Sequence, residues 1–245
     1  MISLIRNEWI KIQKENSLWF AFVLHIAPLF MVLVAAIMKS VRLGSNLYFI
    51  LYNQSMLVTG LVACVVTSIV FHLEFNNRTW FDWLTQPQGP RRLLVAKVLT
   101  GALILACYIA ISAVLMLVFL YATGVRDDPA RMLCSYLVFQ VGTMGVMVAV
   151  SAALCVLTRS AVVVNVVGVI VTMVTVVVMA AEFSWSIPTA WPYRTGLAII
   201  DPEYGFGSVK PLLAGGAITG AFVVMCLLIA IQWVSRPSVI NAAMR

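Results

Sequence analysis

Side chains that could carry out catalysis are few in this sequence and stand far apart. The chain has 2 histidines, His25 and His72, and neither belongs to the H-E-x-x-H pattern of a zinc protease. The apolar stretches hold no G-x-S-G serine and no pair of aspartates, which an intramembrane protease would need. There is also no G-x-x-x-x-G-K-[ST] loop to bind nucleotide phosphates. These features predict a chain that is not an enzyme, so any ATP hydrolysis would belong to a separate chain.

The cysteines do not suggest a metal site or a disulfide framework. None of the 5 belongs to a C-x-x-C pair, and all lie within apolar stretches. We expect them to be reduced packing residues and expect no metal or cofactor in this chain. They are Cys64, Cys107, Cys134, Cys155 and Cys226.

The composition places the chain in a membrane. Of 245 residues, 62% are hydrophobic and 10% are charged, whereas soluble domains carry about 25% charged residues. The mean hydropathy of +1.02 leaves too little polar surface to cover a soluble globule. Six stretches reach the roughly 20 apolar residues that a spanning helix needs. We therefore predict an all-α polytopic membrane protein with transmembrane helices at 18–38, 48–72, 98–121, 133–157, 161–181 and 212–234.

The loop charges predict the orientation. With six spans both tails lie on one side, and the tails and loops of that side hold most of the Lys and Arg residues. Both termini are therefore predicted to be cytoplasmic. The net charge of +7 is then an orientation signal, since no basic cluster is interleaved with aromatic residues for nucleic-acid binding.

The first 17 residues predict a short interfacial helix. Ile2, Ile5, Trp9 and Ile12 recur at helical spacing, with basic residues at other positions. The alternative is an ordinary charged leader before the first span.

Residues 73–97 form the longest predicted cytoplasmic loop, longer than a connector between antiparallel helices requires. Within it Trp80, Phe81 and Leu84 share one helical face, and a proline-rich segment at 86–90 then breaks the helix. The pattern fits either a docking element for a cytoplasmic partner or an interfacial helix that rests on lipid.

The order of residues in this loop resembles the permease subunits of ABC-2 type transporters. That family has an acidic residue leaving the second span, a step ending in Thr, a Leu-x-x-Pro step and a basic run into the third span. The match is carried by Glu74, Arg78, Thr79, Trp83, Leu84, Pro87, Arg91, Leu94 and Lys97.

The resemblance implies a complete assembly. Two permease chains, identical or homologous, would join two copies of a P-loop ATP-binding subunit, which would bind ATP and Mg²⁺. Spans one and five would form the contact between the permeases. Coupling to the ATP-binding subunit would fall to Glu74, Arg78, Thr79, Trp80, Trp83, Leu84 and Pro87.

The predicted external loop at 182–211 is rich in aromatic residues and prolines. Such aromatics favour the lipid–water boundary, so a re-entrant segment or an anchor belt fits equally. Permeases of the resembled family place re-entrant helices here, and Ile187-Pro188-x-x-Trp191-Pro192 further resembles their lantibiotic-immunity subgroup. The candidate gate residues are Glu182, Trp185, Trp191 and Tyr193.

Polar residues inside the spans are candidates for a substrate path, because polar groups in lipid are often functional. They are His25, Asn53, Gln54 and Gln140. The alternative is hydrogen bonding between helices, worth roughly 0.6 kcal/mol each.

Taken together, these features predict a permease of an ATP-driven exporter for an amphipathic substrate such as a lantibiotic-like peptide, a lipid or a drug. A non-transporting membrane partner or sensor, or a secondary carrier without an ATPase, is the alternative. The absence of charges from the middle of every span disfavours the carrier.

Overall fold

A computed structural model describes residues 1–39, 45–76, 89–122 and 128–235. All regular structure in these ranges is helical. Two short 3-10 helices, Glu182–Ser186 and Pro202–Tyr204, flank the seventh of the α-helices described. The α-helices are α1 (Ile2–Ile12), α2 (Asn16–Lys39), α3 (Ser45–Asn76), α4 (Pro90–Ala122), α5 (Pro129–Thr158), α6 (Ala161–Val178), α7 (Trp191–Ile200) and α8 (Val209–Val234).

Six helices, α2 to α6 and α8, are long and apolar enough to cross a membrane. Their apolar segments have 18 to 32 residues, against the roughly 20 that a bilayer requires. A helix satisfies its own backbone groups in lipid, which explains why the apolar segments adopt this form. The prediction of an all-α membrane protein with six spanning helices is confirmed.

The helices beside the predicted 73–97 loop extend into it from both ends. α3 continues to Asn76 and α4 begins at Pro90, so the basic run that leads to Lys97 is helical. Proline suits the first helical position because its missing N–H needs no partner there. Gly89, directly before it, has a φ of +77°, which favours glycine. The start of this helix therefore lies before the predicted boundary at 97, and the extent of the cytoplasmic loop stays a prediction.

The spans pack around α3 and α5, which are the most buried of the six. One apolar cluster, which includes Phe71 and Leu94, lies towards the end of α3 and the start of α4, near α1. A second cluster, which includes Tyr52 and Phe139, lies near α7. The bundle therefore has an α1 end and an α7 end.

Glycines bring α3 and α6 into close contact. A Cβ on Gly60 would lie 2.7 Å from Oγ1 of Thr172, and one on Gly168 would lie 2.6 Å from Sγ of Cys64. Each helix thus offers a glycine to a side chain of the other, which allows close approach in lipid.

α1 packs on the bundle through one face, and its place in the membrane interface stays a prediction. Its buried residues are Leu4, Glu8 and Ile12, spaced four apart, whereas Ile2 and Trp9 are exposed. The apolar periodicity missed this face because its central residue is a carboxylate.

Candidate functional site

The charged residue at the centre of the α1 face meets charged residues from two spans. Lys97 Nζ of α4 lies 2.6 Å from Oε2 of Glu8 and 3.2 Å from Oε1 of Glu74, near the end of α3. Lys11, one turn after Glu8, lies 2.8 Å from Glu8 and 3.2 Å from Glu74. We call these four residues the ionic cluster.

Most of the ionic cluster is withdrawn from solvent. The side chains of Lys97, Glu8 and Glu74 are 1%, 6% and 8% exposed, and Lys11 is 49% exposed. A buried charge is very unfavourable unless it is paired and hydrogen-bonded, and two carboxylates with two ammonium groups sum to zero. The helices α1, α3 and α4 are therefore held together by groups that are each costly to separate.

Further contacts fix Lys97 in place. Its Nζ also donates to the carbonyl oxygen of Val70, 3.0 Å away, and lies 5.8 Å from the centre of the Phe71 ring. The second carboxylate oxygen of Glu74, Oε2, is buried with no hydrogen-bond partner among the described residues. Among the described residues, Lys97 is thus the better satisfied member of the pair.

Electrostatics favour the charged forms on α1. Burial raises the pKa of Glu8, but Lys97 and Lys11 outweigh it, so the pKa lies below its ordinary value of 4.5. Burial lowers the pKa of Lys11, but Glu8 and Glu74 outweigh it, so the pKa lies above 10.5. Between these values both groups stay ionised and the cluster keeps its ion pairs.

Of the predicted coupling residues, Glu74 lies in the ionic cluster. The others lie outside the described residues: Arg78, Thr79, Trp80, Trp83, Leu84 and Pro87. Sequence reasoning missed Glu8. The available signal was its i, i+3 spacing to Lys11 and its place between Leu4 and Ile12 at intervals of four.

The predicted path residues take part in contacts between elements, except Gln54, which is exposed. Nε2 of His25 lies 3.1 Å from Oγ of Ser112, and Gln140 accepts from Thr59 at 3.1 Å. Asn53 accepts from the hydroxyl of Tyr193. Three of the four residues are thus used in pairing helices, and their place in a substrate path stays a prediction.

At the α7 end, the predicted gate residues belong to a packed segment. The indole of Trp191 donates to the carbonyl oxygen of Leu212 at 3.0 Å, and its ring lies against Gly215 and Gly216 of α8. Gly216 and Gly220 of α8 form a G-x-x-x-G pattern, which allows close contact between helices. Gly216 faces Trp191, and no atom of the described residues lies within 4 Å of a Cβ on Gly220.

The side chain of Arg194 on α7 binds backbone groups that precede and follow this helix in the chain. It donates to the carbonyl oxygens of Ala181 at 3.0 Å and Gly205 at 2.6 Å, and its guanidinium lies 4.6 Å from the Phe206 ring centre. Burial lowers the pKa of Arg194, and the exposed Glu182 acts in the opposite direction. Trp185 is half-buried, and its carbonyl oxygen faces Gly215.

Among the described residues, no three His, Cys, Asp or Glu side chains gather as metal ligands would. The chemistry this part of the chain offers is charge pairing and packing between helices. The arrangement can hold helices together and transmit movement between them.

Comparisons with known proteins add a family. A family model described as ABC-2 family transporter protein matches residues 4–179, which takes in the ionic cluster and the first five spans. No curated protein and no solved structure matches the chain. A match over more than half of the chain shows membership, and membership implies a non-catalytic membrane component that works with an ATP-binding subunit. The chain belongs to the ABC-2 family of transporter proteins, as a membrane-spanning transport component.

Proposed function

We propose that the chain is the permease subunit of an ATP-driven exporter. It moves an amphipathic substrate out of the bilayer or the cell, from the plasma membrane of a bacterium, with both termini in the cytoplasm. The family match supports the permease role. The ionic cluster supports coupling to a cytoplasmic partner, because it joins α1 to the two helices that the predicted docking loop connects.

The ionic cluster gives a route for mechanical coupling. Residues 77–88 connect the end of α3 to the start of α4, and Glu74 and Lys97 pair across that junction at 3.2 Å. A push on the loop therefore moves both helix ends together, and Glu8 carries α1 with them. Separating these groups would leave buried charges unpaired, which costs about 3–5 kcal/mol when one partner is lost.

The proposed partners follow from the family. Two P-loop ATP-binding subunits, with ATP and Mg²⁺, dock on the loops of two permeases. The second permease, identical or homologous, packs on the exposed apolar faces of α2 and α6. The segment around α7 then closes the other end of the path, with Trp191 and Tyr193 as its anchors.

The substrate is amphipathic because no full charge lies in the middle of a span to bind a small ion. A peptide of the lantibiotic type, a lipid or a drug fits this description. A sensor without transport would share the docking loop, so transport itself has to be measured.

The proposal is tested with the complex purified together with its ATP-binding subunit in proteoliposomes. Lys97→Glu reverses one charge of the ionic cluster, and we expect at least a five-fold fall in export of a fluorescent amphiphile per ATP hydrolysed. Adding Glu8→Lys restores the 2.6 Å pair with opposite signs and should recover part of the loss.

Arg92→Gln, at an exposed position on the same helix, is the matched control and should behave as wild type. If Lys97→Glu exported as much per ATP as Arg92→Gln, the ionic cluster would not carry coupling. If no ATP-binding subunit purified with the wild-type chain, the proposal of an ATP-driven exporter would be wrong.

A further inference from the structure

A groove of about 270 Å³ lies where α1 turns into α2, on the side that faces α4. Four of the eleven residues that line it are aromatic, and they come from all three helices: Trp9, Trp19, Phe22 and Tyr108. The groove lies at the α1 end of the bundle, which the loop charges predict to be cytoplasmic. It is separate from the ionic cluster, whose residues do not line it.

Helical spacing on α4 and one hydrogen bond between α4 and the start of α2 form the walls of the groove. On α4, Ile104, Tyr108 and Ile111 are four and three residues apart, so they share one face. The hydroxyl of Tyr108 donates to the carbonyl oxygen of Leu18 at 2.6 Å, which holds the start of α2 beside α4. The groove therefore has fixed walls.

One acidic residue, Glu15, lines this groove. Glu15 lies in the turn between α1 and α2, where its N–H donates to the carbonyl oxygen of Ile12 at 2.9 Å. Among the described residues Glu15 forms no ion pair, in contrast to Glu8 and Glu74, which are both paired with lysines. The groove thus keeps a half-buried negative charge that no described side chain neutralises.

The combination selects for charge and shape. Aromatic ring faces attract organic cations, tryptophan most strongly, and a carboxylate beside them adds direct attraction. The remaining wall is almost entirely apolar, which suits a hydrocarbon body. The volume is slightly below the roughly 300–1,000 Å³ of sites for drug-sized molecules, so one slender chain fits better than a bulky ring system.

We propose that this groove binds a single-chain amphipathic cation, with its ammonium group beside Glu15 and its chain along Phe22 and Ile111. This binding site names a class of substrate for the proposed exporter. The statement that the bound cation is transported rests on the proposed function, whereas the statement that it binds does not. Binding itself requires neither ATP nor a second chain.

The test is equilibrium binding of radiolabelled dodecyltrimethylammonium to the full-length chain in lipid nanodiscs, with the signal of empty nanodiscs subtracted. We expect saturable binding that unlabelled dodecyltrimethylammonium displaces. Dodecylphosphocholine and dodecyl maltoside share the chain length and lack the net positive charge, so they should compete at least ten-fold more weakly.

Glu15→Gln should weaken binding at least ten-fold, and Glu15→Asp should retain most of it. Glu203→Gln removes an exposed carboxylate near the α7 end and is the matched control. Ile111→Trp fills the groove without touching a charge and should also abolish binding. Equal binding by Glu15→Gln and wild type, or equal competition by dodecylphosphocholine, would overturn the proposal.

The outcome is independent of the export test. Cation binding without ATP-dependent export would support the binding site and contradict the exporter. ATP-dependent export without Glu15-dependent binding would support the exporter and contradict the binding site.

Discussion

At the scale of single residues, Glu8 decides how α1 is held. It is the buried residue between Leu4 and Ile12, and it accepts from two lysines, one on its own helix and one on α4. An apolar residue there would pack on the bundle without choosing a register, whereas the carboxylate fixes α1 to the position of Lys97. The contact depends on charge, so it should depend on pH.

We predict that acid releases α1. Because the pKa of Glu8 lies below 4.5 in the folded chain, its pairing stabilises the fold above 4.5 and is lost as the pH falls through the lowered value. Lys11, with its raised pKa, loses its contribution only above 10.5. Hydrogen exchange of the backbone amides of residues 2–12 should therefore be flat from about pH 6 to 8, after correction for intrinsic rates, and increase below 4.5.

Glu8→Gln provides the control for this measurement. It cannot ionise, so α1 should exchange faster at neutral pH and show a much smaller acid transition. An acid transition of the same size in Glu8→Gln would show that Glu8 does not cause the effect.

At the scale of elements, the sequence predicts the spans well and their mutual contacts poorly. Apolar length alone places the six helices, because a helix satisfies its own backbone groups in lipid and these stretches are too long for the strands of a membrane barrel. Contacts depend on which side chain meets which surface. Gly216 and Gly220 form a recognised helix-contact pattern, yet Gly216 faces Trp191 of α7.

The same limit applies to charge. Glu74 and Lys97 stand out in the sequence through the resemblance, but Glu8 does not. A buried face is predicted from apolar residues at helical spacing. A buried charged residue that pairs with a residue far away in the sequence interrupts this spacing, so the face is not recognised. The pair Glu8 and Lys97 is 89 residues apart in the chain, and only the fold brings them together.

We predict that the packing of α7 on α8 depends on Gly215. A Cβ there would lie 2.2 Å from Cδ1 of Trp191 and 2.5 Å from the carbonyl oxygen of Trp185, and the second of these is backbone. Gly215→Ala should therefore displace α7 and destabilise the fold by about 1–3 kcal/mol, the usual range for overpacking. Thermal unfolding in detergent and limited proteolysis of residues 182–208 measure the two effects.

Gly220→Ala is the matched control on the same helix. No atom of the described residues lies within 4 Å of a Cβ at this position, and alanine is the better helix former, so stability should be unchanged or slightly higher. Equal protease resistance in both variants would show that α7 does not rest on Gly215.

At the scale of the whole molecule, the exposed apolar faces decide how the chain assembles. α2, α6 and α8 are the least buried spans, so exposure alone does not select a partner surface. Family resemblance selects α2 and α6. The inward side of α6 carries Thr172 and Thr175, and its outward side is almost wholly valine, isoleucine and methionine.

We predict that a second permease packs on the outward side of α6. Val166, Val169 and Met173 are exposed there at helical spacing, and single cysteines at these positions should form disulfide-linked permease dimers in native membranes under mild oxidation. The exposed native thiols, Cys107 and Cys134, are first replaced by serine. Cysteines at Val224 and Leu228, equally exposed on α8, are the controls and should stay monomeric. Cross-linking through α8 but not α6 would contradict the prediction and place the partner on α8, which packs mainly on α5, whereas α6 packs mainly on α3.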